Sequence, residues 1–278
     1  MNRKDLDPES SPEAAFGARI RSSRESRGWK QEELAKHMGY SGTHISAVET
    51  GRKMPTLRFS RSADQVFGTG ETADTFERQY RELRHGSLLE GFPQYVGYEG
   101  RAAEIRLYEV GIIPGLLQTP EYARALAEGD VWRGSITPEQ AGDRVSFLAE
   151  RQAALVRPRP PTMLVVMDES CIRRRVGGEE VMAAQLDRLL EFAGQPNTVL
   201  QIAPFAGAER RPFNLPMNLL TLPDLSAVAY AESQMRGHLE RDTTLVLPLL
   251  ASYHQLQAES LSQAASVAMI NEARKGTP

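Results

Sequence analysis

Gly42, Thr43, His44, Ser46 and Ala47 are small or polar residues crowded into six positions, and Arg52 and Lys53 follow just behind. Hydroxyls and methyls of this kind suit base edges: Thr43 can donate, accept or set its methyl on a thymine, while Ala47 offers apolar contact alone. His44 can reach a base or a phosphate, with an ordinary pKa close to neutrality. Adjacent cations suit the phosphate backbone. Residues fit for catalysis are thinner. Asp168-Glu169 at the end of an apolar run has the look of a metal-dependent nuclease, yet no lysine stands between Lys53 and Lys275 to complete it. His85, His238 and His254 have no zinc spacing, and Cys171 has no histidine near it in sequence. The reading is a binding protein, not an enzyme, with no metal and no cofactor.

The elements that must position these groups are short helices. Leu34, Ala35 and Met38 share one face of a helix opened by Gln31. Gly39 stops it, and Ser41 can cap a second helix in which Ile45 and Val48 face inward. The small and polar residues are thereby left on the other faces of that helix. Gly51 closes it and Pro55-Thr56 restarts the chain. Two short helices joined by a glycine turn make a reader for the major groove.

Gln31, Leu34, Ala35, Gly39, Ser41, Ile45, Ser46, Glu49, Gly51 and Pro55 stand in the register of the XRE-type, or phage-repressor-like, helix-turn-helix family, which this segment closely resembles. The resemblance implies that Gly42, Thr43, Ser46 and Ala47 face bases. Gly42 departs from the long amides often found there, which leaves more of the reading to DNA shape. Gln31, at a helix N-terminus, is placed for a phosphate. The expected DNA-contacting set is therefore Gln31, Ser41, Gly42, Thr43, His44, Ser46, Ala47, Arg52 and Lys53. The family also pairs an arginine with a glutamate inside the domain, which implies a structural ion pair of Arg24 with Glu49.

The 278 residues suffice for two domains, and 41% hydrophobic against 25% charged residues is globular composition. The expected fold is α + (α+β): an all-helical helix-turn-helix domain, then a mixed domain with a sheet of about four or five strands. Residues 1–13 read as a disordered tail, 14–70 as the DNA-binding domain, 71–98 as a helix and linker, and 99–278 as the α+β domain. In the last part, Glu104–Tyr108, Thr162–Met167, Val199–Ala203, Met217–Leu222 and Ala227–Ala231 read as strands. Helices are expected over 120–127, 138–156, 179–193 and 243–273, with Pro248 starting, kinking or interrupting the last. No run reaches the ~20 apolar residues of a membrane helix. The polar N-terminus is not a signal peptide, and a single cysteine suits a cytoplasmic protein.

Charge is divided along the chain. Residues 16–67 hold ten Arg and Lys against five Asp and Glu, while 86–278 hold 18 against 23. A basic head on an acidic body suits DNA at one end.

Glu109–Ala125, EVGIIPGLLQTPEYARA, with Glu150-Arg151-Gln152, Asp168-Glu169, Arg174, Gln185-Leu186, Pro196-Asn197 and Tyr230-x-Glu232, resembles a domain joined to such readers in actinobacteria. That domain occurs in WhiJ-like, or Scr-type antitoxin-like, regulators. The resemblance implies a transcriptional regulator, such as a repressor, whose body binds a small protein encoded by a neighbouring gene. Taken with the reader, it leads to double-stranded DNA bound by a homodimer, with no membrane involved. Two other functions are weighed beside it. One is an antitoxin-like module that sequesters a toxic partner. The other is a small-molecule-responsive repressor with an apolar pocket near Trp132, Phe205 and Phe213. GLLQTPEY can serve as a ligand loop or as a turn docking helix to sheet.

Overall fold

Phe16 and Ile20 lie one turn apart on a helix, and that spacing starts the first of two cores. The computed structural model describes residues 12–70, 74–85, 91–233 and 236–276. The chain divides into two units, residues 1–87 and 88–278. The expected disordered tail lies outside the described residues except for Pro12 and Glu13, which begin the first helix.

The first unit consists, in its described part, of helices α1 (Pro12–Glu25), α2 (Gln31–Met38), α3 (Gly42–Glu49), α4 (Leu57–Phe67) and α5 (Phe76–His85). Phe16, Ile20, Leu34, Ile45, Val48, Phe59 and Phe76 are wholly buried together. Each junction has a local cause. Gly39 adopts φ 71°, a left-handed turn that an L side chain resists, and the next amide, Tyr40 N–H, bonds back to Ala35 O at 2.9 Å. Ser41 Oγ accepts from His44 N–H at 3.2 Å and caps α3. Thr56 does the same for α4 through Phe59 N–H at 3.1 Å.

The second unit runs α6 (Phe92–Glu99), β1 (Glu104–Glu109), α7 (Pro120–Trp132), α8 (Pro138–Ala154), β2 (Thr162–Asp168), α9 (Ser170–Arg173), α10 (Gly178–Ala193) and β3 (Thr198–Ala203). Then come β4 (Met217–Thr221), β5 (Ala227–Glu232), β6 (Gly237–Glu240), α11 (Thr243–Glu259) and α12 (Gln263–Arg274). The sheet order is β3-β2-β1-β4-β5-β6. β1 pairs parallel with β2 and β2 with β3, whereas β4, β5 and β6 join antiparallel. Alternation puts Ile105, Leu107, Val165, Leu200, Leu220 and Tyr230 on one face, where Tyr95 of α6, Tyr122 of α7, Leu186 of α10 and Ile270 of α12 cover them. Tyr108, Val166, Leu219 and Ala229 point the other way, under Val246, Tyr253 and Leu256 of α11. Both faces of β2 are covered, so Thr162–Met167 reads as a continuous apolar run, whereas β1, EIRLYE, alternates.

Three expectations change here. The sheet has six strands, not four or five: β6 is a four-residue edge strand, GHLE, too short and too polar to show a period. The segment 86–98 is not linker throughout, because α6 buries Tyr95 and Glu99 and belongs to the second unit. The division therefore falls after residue 87, ahead of the expected residue 99. Pro248 sits inside α11, and the helical tail is instead split at Ser260-Leu261-Ser262, where Ser262 caps α12.

Candidate nucleic-acid interface

α3 buries Ile45, Val48 and Glu49 completely, and this fixes which side of the helix looks outward. Thr43 is exposed, and Gly42, Ser46 and Ala47 are partly so, on one short helix with Ser41 exposed at its N-cap. At the other end the amides of Arg52 and Lys53 bond to Ala47 O at 2.9 and 3.1 Å, and Thr50 Oγ1 donates to Ser46 O at 2.6 Å. The helix thus stops sharply, and both cations leave it exposed. Arg52 Nε donates to Thr50 Oγ1 at 2.9 Å, which holds its guanidinium near the end of α3.

His44, expected at a base or a phosphate, packs its ring against neighbouring aromatics. Its ring stacks on Phe59, with centroids 5.6 Å apart, and tilts against Tyr40 at 4.8 Å. Nε2 is buried with no hydrogen-bond partner among the described residues, and Nδ1 lies 3.4 Å from Lys53 Nζ. Burial, and then the Lys53 charge, lower its pKa. The imidazole is therefore neutral at neutral pH and works as a wedge between α3 and α4.

Gln31 is also occupied. Its Nε2 donates to Glu49 Oε2 at 2.8 Å, a bond that the expected phosphate contact did not foresee. Glu49 is the hub of the unit: Arg24 Nε donates to Oε1 at 2.6 Å and Arg24 Nη2 to Oε2 at 3.1 Å. Arg24 Nη1 also donates to Trp29 O at 2.7 Å. The hydrogen bonds to Glu49 raise the arginine's pKa, so its guanidinium stays charged. The ends of α1 and α3 and the start of α2 are thereby tied at one carboxylate. Sequence reasoning missed the Gln31 spoke; the 18-residue separation carries no local signal.

Charge accounting refines the basic head. Arg19, Arg27 and Arg61 are spent on Gln79 Oε1, Phe67 O and Glu77, respectively. Lys30, Lys36, Arg52, Lys53 and Arg58 are exposed, and none has an acidic side-chain partner among the described residues. Five unpaired cations on this small unit supply a positive surface for a polyanion. Glu32 is the counterweight that sequence reasoning overlooked. A Cβ on Gly42 would collide with its carboxylate, so Glu32 holds negative charge against the start of α3.

In the second unit, the residues that suggested catalysis are bound internally. Asp168 pairs with Arg211 and accepts from Ser170 N–H at 2.8 Å. Glu169 accepts from Arg173 at 3.1 Å and from Phe205 N–H at 3.0 Å. Cys171 is wholly buried, and burial pushes its thiol up to about 12. GLLQTPEY is a docked turn: Gln152 Nε2 donates to Gly115 O and Gln118 O, and Gln185 Nε2 to Leu117 O, all within 3.0 Å. The pocket expected near Trp132, Phe205 and Phe213 does not form. Trp132 is 87% exposed on α7, while Phe213 packs on Tyr108 under the opposite sheet face.

A cavity of about 720 Å3 lies instead against α6, β1 and β5, walled in part by Pro114, Gly115 and Leu116 of that docked turn. Sequence reasoning missed it. Its polar residues come from positions as far apart as 99 and 232, which only the sheet brings together.

Residues 15–75 match a helix-turn-helix domain, and residues 92–272 match a domain of unknown function (DUF5753). No curated protein and no solved structure matches the chain. Helix-turn-helix domains are DNA-binding units, which makes the first unit the DNA-binding part of a regulator. Among the described residues, no helix is long and apolar enough to cross a membrane. The second match spans more than half of the chain, which therefore belongs to the DUF5753 family.

Proposed function

We propose that this helix-turn-helix member of the DUF5753 family is a sequence-specific transcriptional regulator of double-stranded DNA, acting in the cytoplasm as a homodimer on paired half-sites. The observation that carries this reading is α3, capped at both ends, buried along Ile45 and Val48, and bare along Thr43 and Ala47. Exposed Arg52 and Lys53 beside it supply phosphate contacts. The Arg24–Glu49–Gln31 lock holds the reading helix at a fixed angle to its neighbours. No catalytic step is part of this reading.

The test is selection of bound duplexes from a random library by the full chain. A shared sequence with half-sites about one helical turn apart is the expected product. Thr43→Ala should relax preference at one base pair by roughly 1–3 kcal/mol, and Arg52→Ala should weaken all sequences alike. A pool that remains random after selection overturns sequence-specific reading.

The second unit is proposed to receive the regulatory signal. Its resemblance to WhiJ-like, antitoxin-like regulators favours a small protein partner. The cavity beside α6 favours a small molecule, being within the usual ~300–1,000 Å3 of ligand pockets. Purification from the native host distinguishes them: a stoichiometric small protein supports the first, a trapped metabolite the second.

A further inference from the structure

The cavity wall is aromatic on one side and acidic on another. Tyr95 and Tyr230 stack with ring centroids 4.7 Å apart, and Phe92 lies 6.0 and 5.8 Å from them. Among the described residues lining the space, the acids are Glu99, Glu109 and Glu232, and Arg151 is the sole base. Arg151 is already committed: its Nε and Nη2 donate to the two oxygens of Glu99 at 2.9 and 2.8 Å, and its guanidinium lies over Phe92. That pair is neutral as a unit. Glu109 and Glu232 remain, and neither forms an ion pair within salt-bridge distance among the described residues. Glu109 accepts from its neighbour Val110 N–H at 3.1 Å, and Glu232 from the Tyr230 hydroxyl at 2.7 Å.

The carboxylates are the reachable part of this space: Glu232 is exposed and Glu109 partly so, while Tyr95 and Tyr230 beneath them are each 1% exposed. Leu107 and Leu116 add apolar wall. Aromatic faces attract cations through their quadrupole, and carboxylates pair with them directly.

We propose that this cavity is the binding site for a small organic cation, a protonated amine on an apolar or aromatic body. Glu109 and Glu232 pair with its charge, and Phe92, Leu215 and Pro216 line the space for its apolar body. An anion fits the lining poorly, since it would meet two unpaired carboxylates and an arginine already saturated by Glu99. The burial of Glu109 beside Glu232, which holds its pKa at about 7, is relieved when a cation arrives. The proposal rests on the regulator reading only in assigning the signal to the second unit.

The test is calorimetry on the full chain without DNA, so that its outcome is independent of whether the first unit reads a sequence. The probes are phenethylamine, tryptamine and agmatine, with hydrocinnamate as the anionic control and hydrocinnamyl alcohol as the neutral one. At least one amine should bind saturably at concentrations below about 10 mM, and hydrocinnamate should not. In a chain carrying Glu109→Gln and Glu232→Gln, the amine affinity should fall by about tenfold or more. Three results overturn the proposal: silence from every amine, hydrocinnamate binding as tightly as phenethylamine, or undiminished amine binding in the double variant. The preference of the unaltered chain for amine over carboxylate decides the matter even if the double variant fails to fold.

Discussion

Glu49 ties three helices of the first unit together through its side chain. It is wholly buried, and Arg24, 8% exposed, supplies two of its hydrogen bonds. Removing Arg24 takes the close partner from a buried carboxylate and leaves it facing Arg21 Nε at 3.8 Å, which costs more than the pair contributes. Arg24→Ala should therefore destabilise the first unit by roughly 3–5 kcal/mol, visible as an early transition in thermal melting. An unchanged melt would place the pair in solvent. Glu109 gives a second residue-level prediction, of opposite sign to the usual carboxylate. Burial first, and then Glu232, raise its pKa to about 7. The native state thus binds this proton more tightly than the unfolded chain does. The resulting stabilisation is complete below the ordinary carboxylate range and is lost as pH rises to about 7. Glu109→Gln should accordingly gain melting temperature over wild type between about pH 5 and pH 8, the difference reaching at most about 3 kcal/mol. Parallel curves across that range would show that Glu109 titrates normally.

At the scale of elements, the contact of α1 with α3 depends on a residue without a side chain. Gly17 is buried, and a Cβ there would collide with the Val48 carbonyl oxygen and press on that of Glu49. These are backbone atoms at the end of the reading helix, so they cannot swing aside. Gly17→Ala should push the two helices apart, costing about 1–3 kcal/mol, and should tilt α3 relative to α2. The measurement is paired: the melt of the first unit and its DNA affinity should both drop. Phe16 and Ile20 carry the helical spacing of α1 in the sequence, whereas Gly17 carries no such signal, because close backbone approach is a property of two helices and not of one. The same limit explains β6. Four residues with one leucine carry no period, and only pairing with β5 makes GHLE a strand. Ser41 is the contrasting case: its cap on α3 follows from sequence, since it needs nothing beyond its own next three residues.

For the whole molecule, charge is divided along the chain. Lys30, Lys36, Arg52, Lys53 and Arg58 are exposed cations of the first unit with no acidic side-chain partner among the described residues, against a surplus of five acids over residues 86–278. DNA affinity should fall with salt at a logarithmic slope of about −3 to −5 per reading unit, each neutralised phosphate contributing ~0.9. Anisotropy titrations over a range of potassium chloride measure it, and a chain lacking residues 1–70 should show no binding. Retained affinity in that truncation would move the DNA contact to the second unit. If the cavity ligand alters operator affinity, the operator must alter ligand affinity by the same factor, with coupling typically of 1–3 kcal/mol.

The sequence by itself determined what depends on neighbours along the chain. Helix faces, the Gly39 turn, the Ser41 cap, the small polar side of α3 and five strands all follow from periods and caps a few residues long. It also yielded Arg24 with Glu49, through a motif in which both have fixed places. Tertiary structure alone decided the rest. His44 reads as a surface contact until Tyr40 and Phe59 close around it, and Gln31 until Glu49 arrives from the end of the next helix. The cavity is the extreme case: Tyr95, Glu109, Arg151 and Glu232 come from a helix, a strand, another helix and another strand. No spacing encodes such a group. Antiparallel pairings on both sides of β4 set β1 and β5 as its neighbours, and that register, fixed by burial of alternate residues on both faces, is what assembles it.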